Sequence, residues 1–111
     1  MLNFEACLEL ERRGYPQWTS EPTLRWASLR DGTTRLSVGI VYPTPAITAA
    51  YTCPDAEDAA NWLETQGLLI QRVPSGGKVQ WIASMPTTGE YHERMVYAPD
   101  LSTLILMMFA P

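Results

Sequence analysis

The sequence predicts an α+β fold: a single small domain over residues 1–111, with an antiparallel sheet of about five strands and two to three helices packed mainly on one face. Three observations predict it. A capped helical stretch begins after Asp55 and ends at Gly67, a hairpin pattern surrounds residues 74–77, and the hairpin signal Asp31 followed by Gly32 lies earlier. Together they give the order α-β-β-β-α-β-β-(β)-α, in which the bracketed strand has the weakest pattern.

The first element is a helix near the start of the chain. Asn3 is a favourable N-cap residue and Gly14 a favourable helix end. Four residues between them share one face at helical spacing: Phe4, Cys7, Leu8 and Glu11.

A hairpin follows, with strands at residues 23–30 and 33–42. A two-residue loop would place the apolar residues of its two strands on opposite faces, because a slip of one residue turns every side chain over. A three-residue loop, residues 30–32 with Gly32 in the left-handed region, pairs Trp26 with Leu36 and keeps the apolar face coherent. We therefore predict that one face is buried, comprising Trp26, Leu36, Val38 and Ile40.

Residues 46–53 alternate in the way a third strand does, with a short helix from Pro45 as the alternative. Asp55 then caps a helix over residues 55–66, in which carboxylates of the first turn favour the helix dipole. Its small-residue stripe suits close packing on a sheet, and comprises Ala56, Ala59, Ala60 and Leu63.

Strands at residues 68–73 and 78–83 form the second hairpin. A four-residue loop over residues 74–77 pairs Ile70 with Trp81. Residues 91–97 fit an edge strand. Asp100 can cap a last helix over residues 101–109, although this apolar segment also fits a central strand, and the sequence leaves that choice open.

Composition narrows the class of protein. Hydrophobic residues make up 46% and charged residues 18%, as in globular proteins, and the net charge of −4 disfavours a nucleic-acid surface. The two cysteines, Cys7 and Cys53, show no CxxC spacing; we expect buried free thiols in a reducing compartment, with a disulfide as the alternative. No basic n-region precedes an apolar run, and no apolar run is long enough to span a bilayer, so we expect a cytoplasmic protein without a membrane contact.

No reactive constellation emerges. His92 is the only histidine, and Glu90 shares its face on a strand, but two ligands do not make a metal site. The acids of the second predicted helix fit caps better than a catalytic pair, and the glycines after Ser75 precede a strand rather than the helix that a phosphate loop requires. We therefore predict no enzyme, no catalytic, metal-binding or cofactor-binding residue, no cofactor and no small-molecule ligand.

A small non-catalytic binding or assembly protein that acts through protein–protein contacts is the leading hypothesis, with self-association as one form of it. The predicted interface lies in the apolar C-terminal segment and comprises Leu104, Met107, Met108 and Phe109. Small size and frequent arginine also fit a virus-encoded accessory or inhibitor protein, such as one from a phage. The partner, the oligomeric state and the host stay open, and no family resemblance is recognised.

Two alternatives come from other classes. One is a small enzyme that uses His92. The other is a nucleic-acid-binding module that uses cations and aromatic residues of the two hairpins. Those residues are Arg25, Trp26, Arg30, Arg35, Arg72, Lys78 and Trp81.

Overall fold

The computed structural model describes residues 1–17, 23–39, 45–86 and 93–109. The helices are α1 (Phe4–Arg12), α2 (Ala56–Thr65) and α3 (Leu101–Phe109). The strands are β1 (Thr23–Leu29), β2 (Thr34–Gly39), β3 (Ile47–Thr52), β4 (Leu69–Ser75), β5 (Lys78–Pro86) and β6 (Glu93–Ala98). The α+β class and the predicted order are confirmed.

The described strands number six, and they form two three-stranded antiparallel sheets rather than one sheet of about five strands. The first sheet lies in a compact unit over Met1–Pro54 and the second in a compact unit over Asp55–Pro111. Each unit therefore has its own strands and its own helices, and each is described by itself. The prediction of one domain for the whole chain stays a prediction.

In the first unit the strand order is β2-β1-β3, so β1 is central. Trp26 pairs with Leu36 across the predicted three-residue loop, and Gly32 has a φ of +90°. The N–H of Leu29 donates to the carbonyl of Thr33 at 2.8 Å, which closes that loop. The predicted register is confirmed, and the segment after Ala46 is a strand rather than the alternative short helix.

Burial in this sheet differs from the prediction of one buried face. Trp26 and Leu36 are half-buried, whereas on the other face of β1 Arg25 is 4% exposed and Ala27 is 0% exposed. A central strand can be covered on both faces, and an apolar set on one side does not exclude burial of the other. The Val38 side chain and Ile40 lie outside the described part of the chain.

Helix α1 covers the Trp26 face of the first sheet. Its N-cap is Asn3, whose side-chain oxygen accepts from the N–H of Ala6 at 2.9 Å, as predicted. The ring of Phe4 lies edge-on to Trp26, with the centroids 6.4 Å apart, and 5.7 Å from the ring of Tyr51. The fully buried residues of the helix are Ala6, Cys7 and Leu10. Of the face predicted from the sequence, only Cys7 is among them, so the buried face of α1 is rotated from the predicted one.

The second unit begins with α2, capped as predicted by Asp55, whose carboxylate accepts from the N–H of Asp58 at 2.8 Å. Its sheet is a meander in the order β4-β5-β6. Ile70 pairs with Ala83 rather than with Trp81, so the predicted register of this hairpin was wrong by two residues.

The turn explains that error. Gly76 and Gly77 alone connect the strands, with φ of +58° and +81°, because two consecutive glycines accept the positive φ of a tight hairpin turn. Pro74 then belongs to β4, which is an edge strand, where a residue without an N–H is tolerated.

The C-terminal segment is a helix, which answers the question left open by the sequence. The carboxylate of Asp100 accepts from the N–H of Thr103 at 2.7 Å, as expected of the predicted cap. The buried residues of α3 repeat at helical spacing and comprise Leu101, Leu104, Ile105 and Met108, beside Ser102. Helix α3 contacts β5 and β6, so this stripe belongs to the core of the second unit.

Candidate interaction surface

One face of the second sheet is buried except near the turn, where Arg72, Pro74 and Val79 are exposed, and the other face is open to solvent. On the buried face lie Ile70, Ala83, Val96 and Ala98. On the other face, Ile82 of β5 pairs with Gln71 of β4 and with Tyr97 of β6. These three side chains therefore form a row across the sheet. We call this opposite side the open face; its described residues are Leu69, Gln71, Val73, Lys78, Gln80, Ile82, Ser84, Met95 and Tyr97.

Large apolar side chains are half-exposed on the open face. The exposed fractions are 49% for Leu69, 48% for Met95 and 48% for Tyr97, while Val73 and Ile82 are half-buried. Single exposed apolar residues are ordinary, but several on one side of one sheet form a patch of the kind that marks interaction sites.

Among the described side chains of the open face, Lys78 is the charged one. Gln71, Gln80 and Ser84 lie between the apolar residues, and Lys78 stands beside the turn at one end of β5. The hydroxyl of Tyr97 donates to the sulfur of Met95 at 3.8 Å, which keeps these two side chains together along the edge strand β6. Such a face can meet an apolar surface without burying an unpaired charge.

The structure divides the interface residues predicted from the sequence. Leu104 is 0% exposed and Met108 is buried, so both belong to the monomer's own core. Met107 is 48% exposed and Phe109 is half-buried, so these two alone of the four offer surface on α3. Their role in a contact stays a prediction.

Sequence reasoning missed the open face, although a signal was present. Apolar residues occupy adjacent positions in the outer strands, at Leu69 with Ile70, at Met95 with Val96, and at Tyr97 with Ala98. Because successive residues of a strand point to opposite faces, such pairs place apolar side chains on both sides of the sheet. A sheet with only one core face must expose one member of each pair.

Some of the hairpin residues proposed for nucleic acid are engaged in contacts within their own unit. Arg25 is buried, and the indole N–H of Trp26 donates to the Leu2 carbonyl at 2.9 Å while its ring packs on Phe4. In the second unit the guanidinium carbon of Arg72 lies 5.7 Å from the centroid of the Trp81 ring, a cation–π contact within the hairpin. Trp26 is thus already occupied by protein contacts rather than presented to a base.

His92 lies outside the described residues, and so does Glu90. Within the described ranges, no group of three or more histidine, cysteine, aspartate and glutamate residues is arranged to hold a metal ion. In that same part of the chain no helix combines the length and apolar character that crossing a membrane requires.

Comparison with known proteins adds no relative. Protein-family models, curated proteins and solved structures all give no significant match to this chain.

Proposed function

We propose that this chain is a small non-catalytic binding or assembly protein that acts through protein–protein contacts, and that the open face of the second sheet is its contact surface. The observation that supports the proposal is the half-exposure of Leu69, Met95 and Tyr97 on one side of one sheet. The partner that fits is a protein surface that is itself apolar and uncharged, since a charge placed against this face would lose its water without gaining a partner.

The energy available on the face sets the strength of the contact. Complete burial of a large apolar side chain contributes about 1.5–3 kcal/mol, so covering the exposed half of one contributes about 0.7–1.5 kcal/mol. The three half-exposed side chains together contribute about 2–4 kcal/mol on the same scale. Association itself costs at least about 4 kcal/mol, so these three side chains alone do not hold a stable complex.

The size of the face leads to the same conclusion. Three strands spaced about 4.8 Å apart, over some six residues that rise about 3.3 Å each, cover roughly 300 Å² in projection. A standard protein interface buries about 800 Å² on each partner. We therefore expect a weak, reversible contact when the open face acts alone, and a tight one only when the partner reaches beyond it.

The experiment compares three forms of the full chain in covalent crosslinking followed by mass spectrometry, in an extract of the native cell. They are the wild type, the double variant Met95→Lys/Tyr97→Lys, and the control Asn61→Lys, which adds a lysine at an exposed position of α2. A protein captured by the wild type and the control but lost from the double variant supports the proposal, and purified components must then reproduce the difference.

Sedimentation over a concentration series gives the second arm of this experiment. Self-association that only the double variant loses identifies the partner as a second copy of the chain. If all three forms capture the same proteins and sediment alike, the open face is not the contact surface and the proposal is refuted.

We also propose a cytoplasmic location, which is supported by two free cysteines that suit a reducing compartment. A virus-encoded accessory or inhibitor protein is the origin that fits the small size of the chain. The nucleic-acid and enzyme alternatives stay predictions, and the burial of Arg25 counts against the first of them.

A further inference from the structure

The hairpin of β4 and β5 extends past the third strand of its sheet. Among the described strands, β6 pairs with β5 from Trp81 to Pro86, whereas the pairing of β4 with β5 continues to Ser75 and Lys78 at the turn. The pairs formed by residues 73–75 therefore lie beyond β6. A two-stranded hairpin has little stability of its own, so this extension adds little to the fold of the second unit.

The end of this hairpin is exposed on the side of the sheet that is buried elsewhere. Arg72 pairs with Trp81 and Pro74 with Val79, and these four side chains lie on the same side, because side chains alternate along a strand. Val79 is 43% exposed, Arg72 and Pro74 are exposed, and Trp81 is half-buried. We call these four residues the hairpin-end surface.

Arg72 is held on this surface by its aromatic neighbour. Its guanidinium carbon lies over the Trp81 ring, 5.7 Å from the ring centroid. Such a contact uses the face of the guanidinium group, while the N–H groups lie in its plane and can donate to a carboxylate. Within the described ranges no carboxylate forms an ion pair with Arg72.

The sequence around the hairpin favours an acidic partner. No aspartate or glutamate occurs between residues 66 and 89, although the whole chain has a net charge of −4. Arg72 and Lys78 are the cations of that stretch, and both are exposed. An acidic group that approaches this end of the hairpin therefore meets local positive charge on a chain that is negative as a whole.

We propose that the hairpin-end surface binds a protein segment in which a carboxylate neighbours an apolar side chain. The carboxylate accepts two hydrogen bonds from the Arg72 guanidinium, and the apolar side chain packs on Pro74, Val79 and the Trp81 ring. Tryptophan and arginine are enriched among the residues that dominate protein contacts. A single arginine on this side suits one carboxylate rather than a nucleic-acid backbone, which requires several cations.

This surface lies on the opposite side of the sheet from the open face, so the proposal does not rest on the proposed function. The test titrates the isotope-labelled full chain with end-blocked hexapeptides in which an aspartate or glutamate neighbours a leucine or phenylalanine. NMR follows the indole N–H of Trp81, and control peptides carry asparagine or glutamine in place of the acid. We expect an acidic peptide to shift the Trp81 resonance to saturation. Its uncharged counterpart should bind at least about tenfold more weakly, because hydrogen bonds to a charged group are lost.

Two variants locate the binding. Arg72→Gln should weaken it by at least about tenfold, and Val79→Ser by a smaller factor, because the first loses hydrogen bonds to a charged group and the second loses apolar contact area. The control Arg35→Gln removes the same charge from an exposed position in the first unit and should bind as the wild type does.

Four results overturn the proposal: no acidic peptide shifts the Trp81 resonance; the uncharged peptides bind as tightly as the acidic ones; Arg72→Gln and Arg35→Gln bind alike; or a thymidine oligonucleotide binds this surface more tightly than every acidic peptide. The peptide comparison on the wild type decides even if a variant fails to fold. Shifts confined to Met95 and Tyr97 would place the peptide on the open face and would also overturn it.

Discussion

The double substitution Met95→Lys/Tyr97→Lys should weaken binding through the open face much more than it lowers the free energy of unfolding. Both side chains stand on the edge strand β6 and are 48% exposed, so folding buries only about half of each. Replacing them therefore removes about 0.7–1.5 kcal/mol of burial per residue. Lysine recovers part of this through its aliphatic stem and is well tolerated on edge strands.

The free energy of unfolding should accordingly fall by no more than about 1–3 kcal/mol, against the roughly 5–15 kcal/mol that holds a typical domain together. The free energy of binding should fall by more than this. The partner can no longer bury the exposed halves of Met95 and Tyr97, and two lysine charges must be desolvated against an apolar surface. A loss of about 3 kcal/mol or more in binding corresponds to at least a hundredfold weaker affinity.

Two measurements check this prediction. Denaturant unfolding followed by tryptophan fluorescence reports the stability, and calorimetric titration or sedimentation reports the affinity for the captured partner. Asn61→Lys carries one added charge on an exposed helix position and should leave both quantities unchanged. A double variant that folds and binds as the wild type does would refute the reasoning, and one that unfolds would show that the open face is required for folding.

Three further predictions concern the core and the thiols. Leu63→Ala should cost about 2–5 kcal/mol through a core cavity and Asp55→Ala about 1 kcal/mol through loss of the α2 cap; denaturant midpoints in the reverse order would contradict the packing of this helix. Leu104→Ala should cost about 2–5 kcal/mol and Met107→Ala under about 1 kcal/mol, as tested by chemical unfolding; equal costs would contradict the orientation of α3. The thiolate absorbance of Cys53 should rise near pH 7, at a higher pH once the thiol at position 7 is replaced by alanine.

The last of these predictions has a consequence for stability. Because the folded pKa of Cys53 lies below its unfolded value of about 8.5, its contribution to stability is complete above the unfolded value and disappears as the pH falls through about 7. Cys7 acts in the opposite direction above its own unfolded pKa, since its folded pKa is raised. Unfolding free energies of the wild type should therefore rise from pH 6 to pH 8 relative to those of the Cys7→Ala variant.

Helix ends and strand segments follow from neighbours along the chain, and here the sequence was sufficient. Asn3, Asp55 and Asp100 each cap the helix that was assigned to them. A cap is a bond between residues three positions apart, so it needs no knowledge of the remaining fold. For residues 101–109 the sequence indicated the cap, Asp100. It did not choose between helix and strand, because an apolar segment without a polar face fits either until its tertiary contacts are known.

The two hairpins show where pattern reasoning ends. In the hairpin of β1 and β2, the two-residue and three-residue loops gave registers that differ by one residue. Such a shift moves every side chain to the other face, so the apolar pattern indicated the correct register. In the hairpin of β4 and β5, the predicted and observed registers differ by two residues. Such a shift leaves every side chain on the same face, so the apolar pattern could not distinguish the two registers. The positive φ of Gly76 and Gly77 decided the second hairpin.

The sequence by itself determined the class, the element order and the local caps of this protein, because each depends on residues that are close along the chain. The tertiary structure alone decided that the strands divide into two sheets, that β1 is covered on both faces and that the second sheet leaves one face open. These features depend on which distant segments pair, and an alternating apolar strand is compatible with many partners until long-range packing selects one.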